Sequence, residues 1–197
     1  MMGAVVLAAG RSQRMGRPKL TLPWGDTTVV GQVVKVLVSS GVEDVIVVTG
    51  GDSESIDVAL KGLPVRTIFN PDYANGEMLM TLQLGLAALS EKVEAALVVL
   101  GDQPQIDPAV VQSVIFGYIN DAHSLVVPSY QKRRGHPWLV VRQLWKTLLD
   151  MRPPATMRDF LNQQIACLHY VNVDTPSILQ DLDTPEDYQR FNPRNQE

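Results

Sequence analysis

Apolar runs of strand length recur along the chain at Ala4–Ala8, Asp44–Thr49, Val65–Phe69, Ala95–Leu100 and, more briefly, Leu125–Val127. They are β-branched and apolar on successive residues, as strands buried on both faces must be. Helical patterns lie between them. Thr27 or Thr28 opens a helix that runs through Ser40 and stops at Gly41. Met78–Ser90 carries Leu79, Leu82, Leu86 and Leu89 at helical spacing, which gives it one core face. Asp107-Pro108 and Thr184-Pro185 each read as an N-cap followed by proline at the first helical position. Strands alternating with helices predict βαβ units and a mainly parallel sheet, a Rossmann-like α/β three-layer sandwich.

The pattern changes after Val127, where proline and basic residues become frequent. Residues 129–174 are expected to leave the sheet as an excursion that carries ligand contacts. Residues 1–191 are expected to form one domain, with Asn192–Glu197 as a flexible tail. A length of 197 residues with 45% hydrophobic and 19% charged content suits one domain with a sizeable core.

A net charge of −4 gives the whole protein no electrostatic footprint for nucleic acid or anionic membrane. Any phosphate chemistry must therefore use local clusters: Arg11, Arg14, Arg17 and Lys19 in one, Lys132, Arg133 and Arg134 in the other. The single Cys167 excludes an intrachain disulfide and a cysteine-based zinc cluster. No signal peptide or membrane-length run is present, so a cytoplasmic protein is expected.

The first run leads directly into Ala8-Ala9-Gly10-Arg11-Ser12-Gln13-Arg14-Met15-Gly16-Arg17-Pro18-Lys19. Small residues at a strand end let a ligand approach the main chain, whose N–H groups can form an anion-binding concavity. Arg11, Arg14 and Lys19 add charge for phosphates, so the polyphosphate of a nucleoside triphosphate is the natural ligand. Neither G-x-x-x-x-G-K-[ST] nor G-x-G-x-x-G occurs here, which excludes the P-loop and the dinucleotide fingerprint.

Gly101-Asp102-Gln103-Pro104 follows the strand Ala95–Leu100. Ligands in open α/β sheets bind at the carboxyl ends of strands, so Asp102 is placed to hold Mg²⁺ beside a phosphate. In Asp181-Leu182-Asp183-Thr184-Pro185-Glu186-Asp187, capping explains Thr184, Pro185 and Asp187 but not Asp181 and Asp183. Strand alternation puts those two carboxylates on one side with Leu182 opposite, and Asp183 is the favoured metal ligand. Asn70-Pro71-Asp72-Tyr73-Ala74-Asn75-Gly76 reads either as a plain Asn-Pro turn or as a loop touching base or ribose. Arg133-Arg134-Gly135-His136-Pro137 offers two guanidinium forks for a phosphate and one imidazole.

Leu7-Ala8-Ala9-Gly10-x-Ser12-x-Arg14-Met15-Gly16-x-Pro18-Lys19 resembles the signature of the MobA-like nucleotidyltransferases, whose fold is of the nucleotide-diphospho-sugar transferase type. Gly-Asp-Gln-Pro and Asp-Leu-Asp-Thr-Pro-Glu-Asp resemble two further blocks of that family. Gly135-His136-Pro137 is similar to its molybdenum cofactor cytidylyltransferase branch. The resemblance spans nearly the whole chain, in order. Departures are Thr81-Leu82 for the family's Ser-Leu, one extra residue after Gly76, and no Gly-Asp-x-Gly stretch before Met157-Arg158-Asp159-Phe160-Leu161. A guanylyl-type Gly-Pro-Leu-x-Gly segment is absent too, which tilts the base toward cytosine.

The resemblance implies a Mg²⁺-dependent enzyme that moves a nucleotidyl group from CTP to a phosphorylated acceptor of the molybdopterin type, releasing pyrophosphate. Leu7, Ala8, Ala9, Gly10, Arg11, Arg14, Lys19, Asn70, Gly76, Thr81 and Asp102 are expected to bind nucleotide. Arg14, Lys19 and Asp102 are the expected catalytic groups, Asp102 and Asp183 the metal ligands. Arg133, Arg134, His136 and Asp181 are expected to bind the acceptor. Rival expectations are GTP as donor, a sugar or polyol phosphate as acceptor, and a nucleotide-binding carrier that serves a partner molybdoenzyme. A nucleic-acid-binding module is disfavoured by the charge.

Overall fold

The computed structural model describes residues 1–10, 15–75, 78–120 and 122–195. Its centre is a sheet of β1 (Met2–Ala8), β2 (Asp44–Thr49), β3 (Arg66–Phe69), β4 (Ala95–Leu100), β5 (Leu125–Tyr130), β6 (Arg133–Arg134), β7 (Trp138–Val141) and β8 (Leu168–Asn172). The strand order is β3-β2-β1-β4-β7-β5-β8, with the short β6 pairing to the end of β5. β1 is parallel to both β2 and β4, and β8 is parallel to β5. β7 runs antiparallel between β4 and β5.

Alternation along the strands divides the core. Ala4, Val6 and Ala8 of β1 face one layer, with α1 (Val29–Ser39), α2 (Ser53–Ala59) and α4 (Pro108–Ile119). Val5 and Leu7 face the other, with α3 (Met78–Ala88), α5 (Trp145–Asp150) and α6 (Met157–Gln163). This is the three-layer sandwich expected, since strands covered on both faces need helices above and below.

Local signals set the helix ends. The Thr28 hydroxyl accepts from Gly31 N at 3.2 Å at the start of α1. Gly41, with φ +87°, takes the left-handed turn that ends it. α1 is rich in valine, a poor helix former, and burial of Val29, Val30, Val33, Val34 and Val36 overrides that preference.

Two expectations fail. Residues 129–174 do not leave the sheet as a block: β5 continues to Tyr130, β7 is inserted between β4 and β5, and β8 forms an edge. All four residues of β7 are buried, so a short apolar run joined the sheet by long-range pairing. The chain end is also docked as far as Asn195. Asn192 is buried and its amide donates to the Pro23 carbonyl at 3.2 Å, while Arg194 donates to the Gly25 carbonyl. Among the described residues, no helix is long and apolar enough to cross a membrane.

Candidate active site

The chain leaves β1 toward β2 on one side and reaches β4, on the other side, only after β3 and α3. Their carboxyl ends therefore flank the reversal point of the sheet, where a crevice opens. Gly101 N donates to the Leu7 carbonyl at 3.0 Å and ties the two strand ends together. The Leu7 side chain is core, so only the main chain of this residue faces the strand end. Ala8 and Ala9 are buried and Gly10 is exposed. A Cβ on Gly50 would stand 2.6 Å from the Ala9 carbonyl oxygen, so only glycine lets the end of β2 support the opening loop. Sequence reasoning missed Gly50, although a Gly-Gly pair at a strand end was its signal. Arg11, Arg14 and Gly76 lie outside the described residues.

Lys19 follows Pro18 in a single helical turn, Lys19–Thr21. Its Nζ donates to Asp102 Oδ2 at 2.6 Å and to Asp183 Oδ1 at 3.2 Å. The lysine side chain is only 12% exposed. Burial pulls its pKa down, but the charges and hydrogen bonds of Asp102 and Asp183 outweigh that and hold it above the ordinary lysine value. The ammonium is therefore charged at every physiological pH.

The two carboxylates come from distant parts of the chain and are joined by backbone as well. Leu182 N donates to the Asp102 carbonyl at 3.1 Å, and the Leu182 side chain is fully buried. Asp183 faces Lys19, while Asp181 accepts from Gln103 Nε2 at 2.6 Å. Burial and the nearby Asp102 push the Asp181 pKa up. A capping box between Thr184 and Asp187 fixes the helix that follows, α7 (Pro185–Phe191).

Asp102 and Asp183 thus aim at one cationic point, held by an ammonium. That donor set fits Mg²⁺, a hard ion that takes one or two carboxylates and completes its shell with water and substrate phosphates. Among the described residues, no group of three or more His, Cys, Asp or Glu side chains is arranged to hold a metal on its own. Gln103 Oε1, buried beside this cluster, has no hydrogen-bond partner among the described residues.

Asn70 and Thr81 form the turn that the Asn-Pro signal offered as one of its two readings. Asn70 is 2% exposed; its Nδ2 donates to Thr81 Oγ1 at 3.1 Å and its Oδ1 accepts from Asp72 N at 2.9 Å. These contacts make an Asx turn anchored to α3, so both side chains shape the loop from inside.

Arg133, Arg134 and His136 line a separate groove of about 910 Å³, where Met78, Pro154 and Met157 supply apolar wall and Lys132 and Arg158 add charge. Asp181 does not line it and belongs to the carboxylate cluster instead. His136 Nε2 is hidden from solvent and has no hydrogen-bond partner among the described residues, and burial lowers the imidazole pKa to about 4. The ring is neutral at pH 7, so it adds no charge to the groove.

The family model described as the MobA-like NTP transferase domain matches residues 4–168. A nicotine blue oxidoreductase of Paenarthrobacter nicotinovorans is 28% identical over 95% of this chain and 94% of its own. A molybdenum cofactor cytidylyltransferase of Escherichia coli K12 is 27% identical over 93% and 92%. The crystal structure of Rv0371c from Mycobacterium tuberculosis H37Rv superposes with a TM-score of 0.84 at 28% identity, covering 96% of both chains. A second structure of Rv0371c is a complex with manganese. With the reversal-point crevice, the lysine–carboxylate cluster and a match over most of the sequence, the chain belongs to the MobA-like NTP transferase family.

Proposed function

We propose that this protein is a cytoplasmic Mg²⁺-dependent cytidylyltransferase that transfers CMP from CTP to the phosphate of a molybdopterin-type molybdenum cofactor. The observation that carries this reading is the convergence of Lys19, Asp102 and Asp183 at the carboxyl ends of β1 and β4. The cytosine preference is supported by the absence of a Gly-Pro-Leu-x-Gly segment, by Gly135-His136-Pro137, and by the similarity to a cytidylyltransferase.

The opening loop from Ala8 to Lys19 binds the triphosphate through backbone N–H groups, with Arg11 and Arg14 contributing charge. An oxygen of the acceptor phosphate attacks the α-phosphorus of CTP. The bond from that phosphorus to the bridging oxygen breaks, and pyrophosphate leaves with the electron pair. Lys19, together with Arg14, stabilises the negative charge that builds on the transferred group. Asp102 and Asp183 would hold Mg²⁺, which when bound would neutralise phosphate oxygens as a Lewis acid. An acceptor phosphate is ionised near neutral pH, so no protein nucleophile or general base is needed. Arg133, Arg134 and neutral His136 hold the acceptor.

The test is pyrophosphate release from CTP, GTP, ATP and UTP with Mg²⁺, with and without molybdenum-loaded molybdopterin. Release that requires CTP and the acceptor together is expected. Release with GTP alone among the four overturns the base assignment, and tight CTP binding with no release overturns the acceptor.

A further inference from the structure

Arg134 lies on β6, paired to Ser129 of β5. Its Nε donates to the Tyr170 hydroxyl at 2.7 Å and its Nη1 to Asn162 Oδ1 at 2.7 Å. The guanidinium carbon stands 5.6 Å from the centre of the Tyr170 ring. α6 and β8 thus converge on a side chain of β6, about thirty residues earlier in the chain. No carboxylate lies within ion-pair distance of Arg134 among the described residues.

A guanidinium has five N–H donors, and these two bonds leave three for the groove that Arg134 lines. A free arginine surrenders much rotamer entropy when it grips a ligand. One that is already held gives up less, and its fork points the same way before and after binding. His136 lines the same groove.

We propose that Tyr170 and Asn162 are positioning residues that preset Arg134 as a fixed clamp for a phosphate ester with an apolar body. The apolar body is indicated by Met78, Pro154 and Met157 in the wall of the same groove. The proposal rests on reading this groove as the acceptor site.

The experiment is calorimetric titration of phenyl phosphate into the full chain without nucleotide. It compares wild type, Tyr170→Phe, Asn162→Ala, Arg134→Ala and the double variant Tyr170→Phe/Arg134→Ala. Tyr170→Phe keeps the ring and removes only the hydroxyl. It is expected to weaken binding about fivefold, the value of one net hydrogen bond. Asn162→Ala is expected to behave similarly and Arg134→Ala to cost more. The double variant is expected to match Arg134→Ala alone, because Tyr170 acts only through the arginine. Wild-type affinity in both Tyr170→Phe and Asn162→Ala, an equal tyrosine effect with and without Arg134, or no binding by wild type overturns the proposal. The titration uses no CTP, so failed cytidylyl transfer and a failed clamp are separate results.

Discussion

Lys19 and Asp102 meet at 2.6 Å although 83 residues separate them. Asp183 joins the same ammonium from near the other end of the chain. The pair closes the crevice between β1 and β4, and the positive charge lies where two carboxylates could hold a metal.

Removing that charge has a structural cost. Lys19→Met leaves Asp102 and Asp183 facing each other across a half-buried gap. Urea denaturation at pH 7 is expected to show a loss of about 1–3 kcal/mol, between the values for exposed and buried ion pairs. An unchanged midpoint would mean that solvent already screens the pair.

His136 makes stability depend on pH. Its folded-state pKa of about 4 lies below the ordinary 6.5 because burial disfavours the charged ring. Above pH 6.5 the ring is neutral in folded and unfolded chains, and its full contribution is present. As pH falls from 6.5 toward 4, the unfolded chain takes up a proton that the folded chain refuses, so stability is lost. Melting temperatures between pH 7.5 and 4.5 are expected to fall more steeply for wild type than for His136→Gln. Parallel profiles would place the imidazole in water.

Asn70→Ala removes the acceptor for Asp72 N–H and the donor to Thr81. The expected loss is about 1–3 kcal/mol for buried groups left unpaired. Because Asn70 acts by shaping its loop, the KM for CTP is expected to rise more than kcat falls. A fall in kcat alone would place the side chain at the reacting atoms.

Gly135 packs against the turn Pro176–Leu179. A Cβ there would stand 2.4 Å from the Ile178 carbonyl oxygen, which also accepts from His136 N at 3.1 Å. Gly135→Ala is expected to destabilise the fold by about 1–3 kcal/mol through overpacking. Chemical denaturation checks this, and a neutral result would show that the turn yields.

The parts of the fold legible from sequence were those coded locally. β2 and β4 have the boundaries that their apolar runs predict, and the caps at Thr28, Asp107 and Thr184 are made by the side chains expected. Period-two alternation set Leu182 opposite Asp181 and Asp183, and Leu182 is the buried one. It could not tell that Gln103 would take one carboxylate and Lys19 the other, because those partners are chosen by tertiary packing. β7 and β8 escaped for the same reason, since four or five residues become a strand only when a distant neighbour pairs with them. Asn70 shows the converse: its Asn-Pro signal was clear, and the turn uses up the side chain.

The most direct measurement is CTP- and acceptor-dependent pyrophosphate release by Asp102→Asn beside wild type, with Mg²⁺ saturating. Asparagine keeps the shape of the side chain and removes the charge that pairs with Lys19 and would hold the metal. A loss on the order of 10²–10³-fold in kcat, with the fold retained, is expected if Asp102 is a metal ligand of the transfer step. Wild-type turnover by Asp102→Asn would contradict it, and would leave the lysine–carboxylate cluster as a structural ion pair.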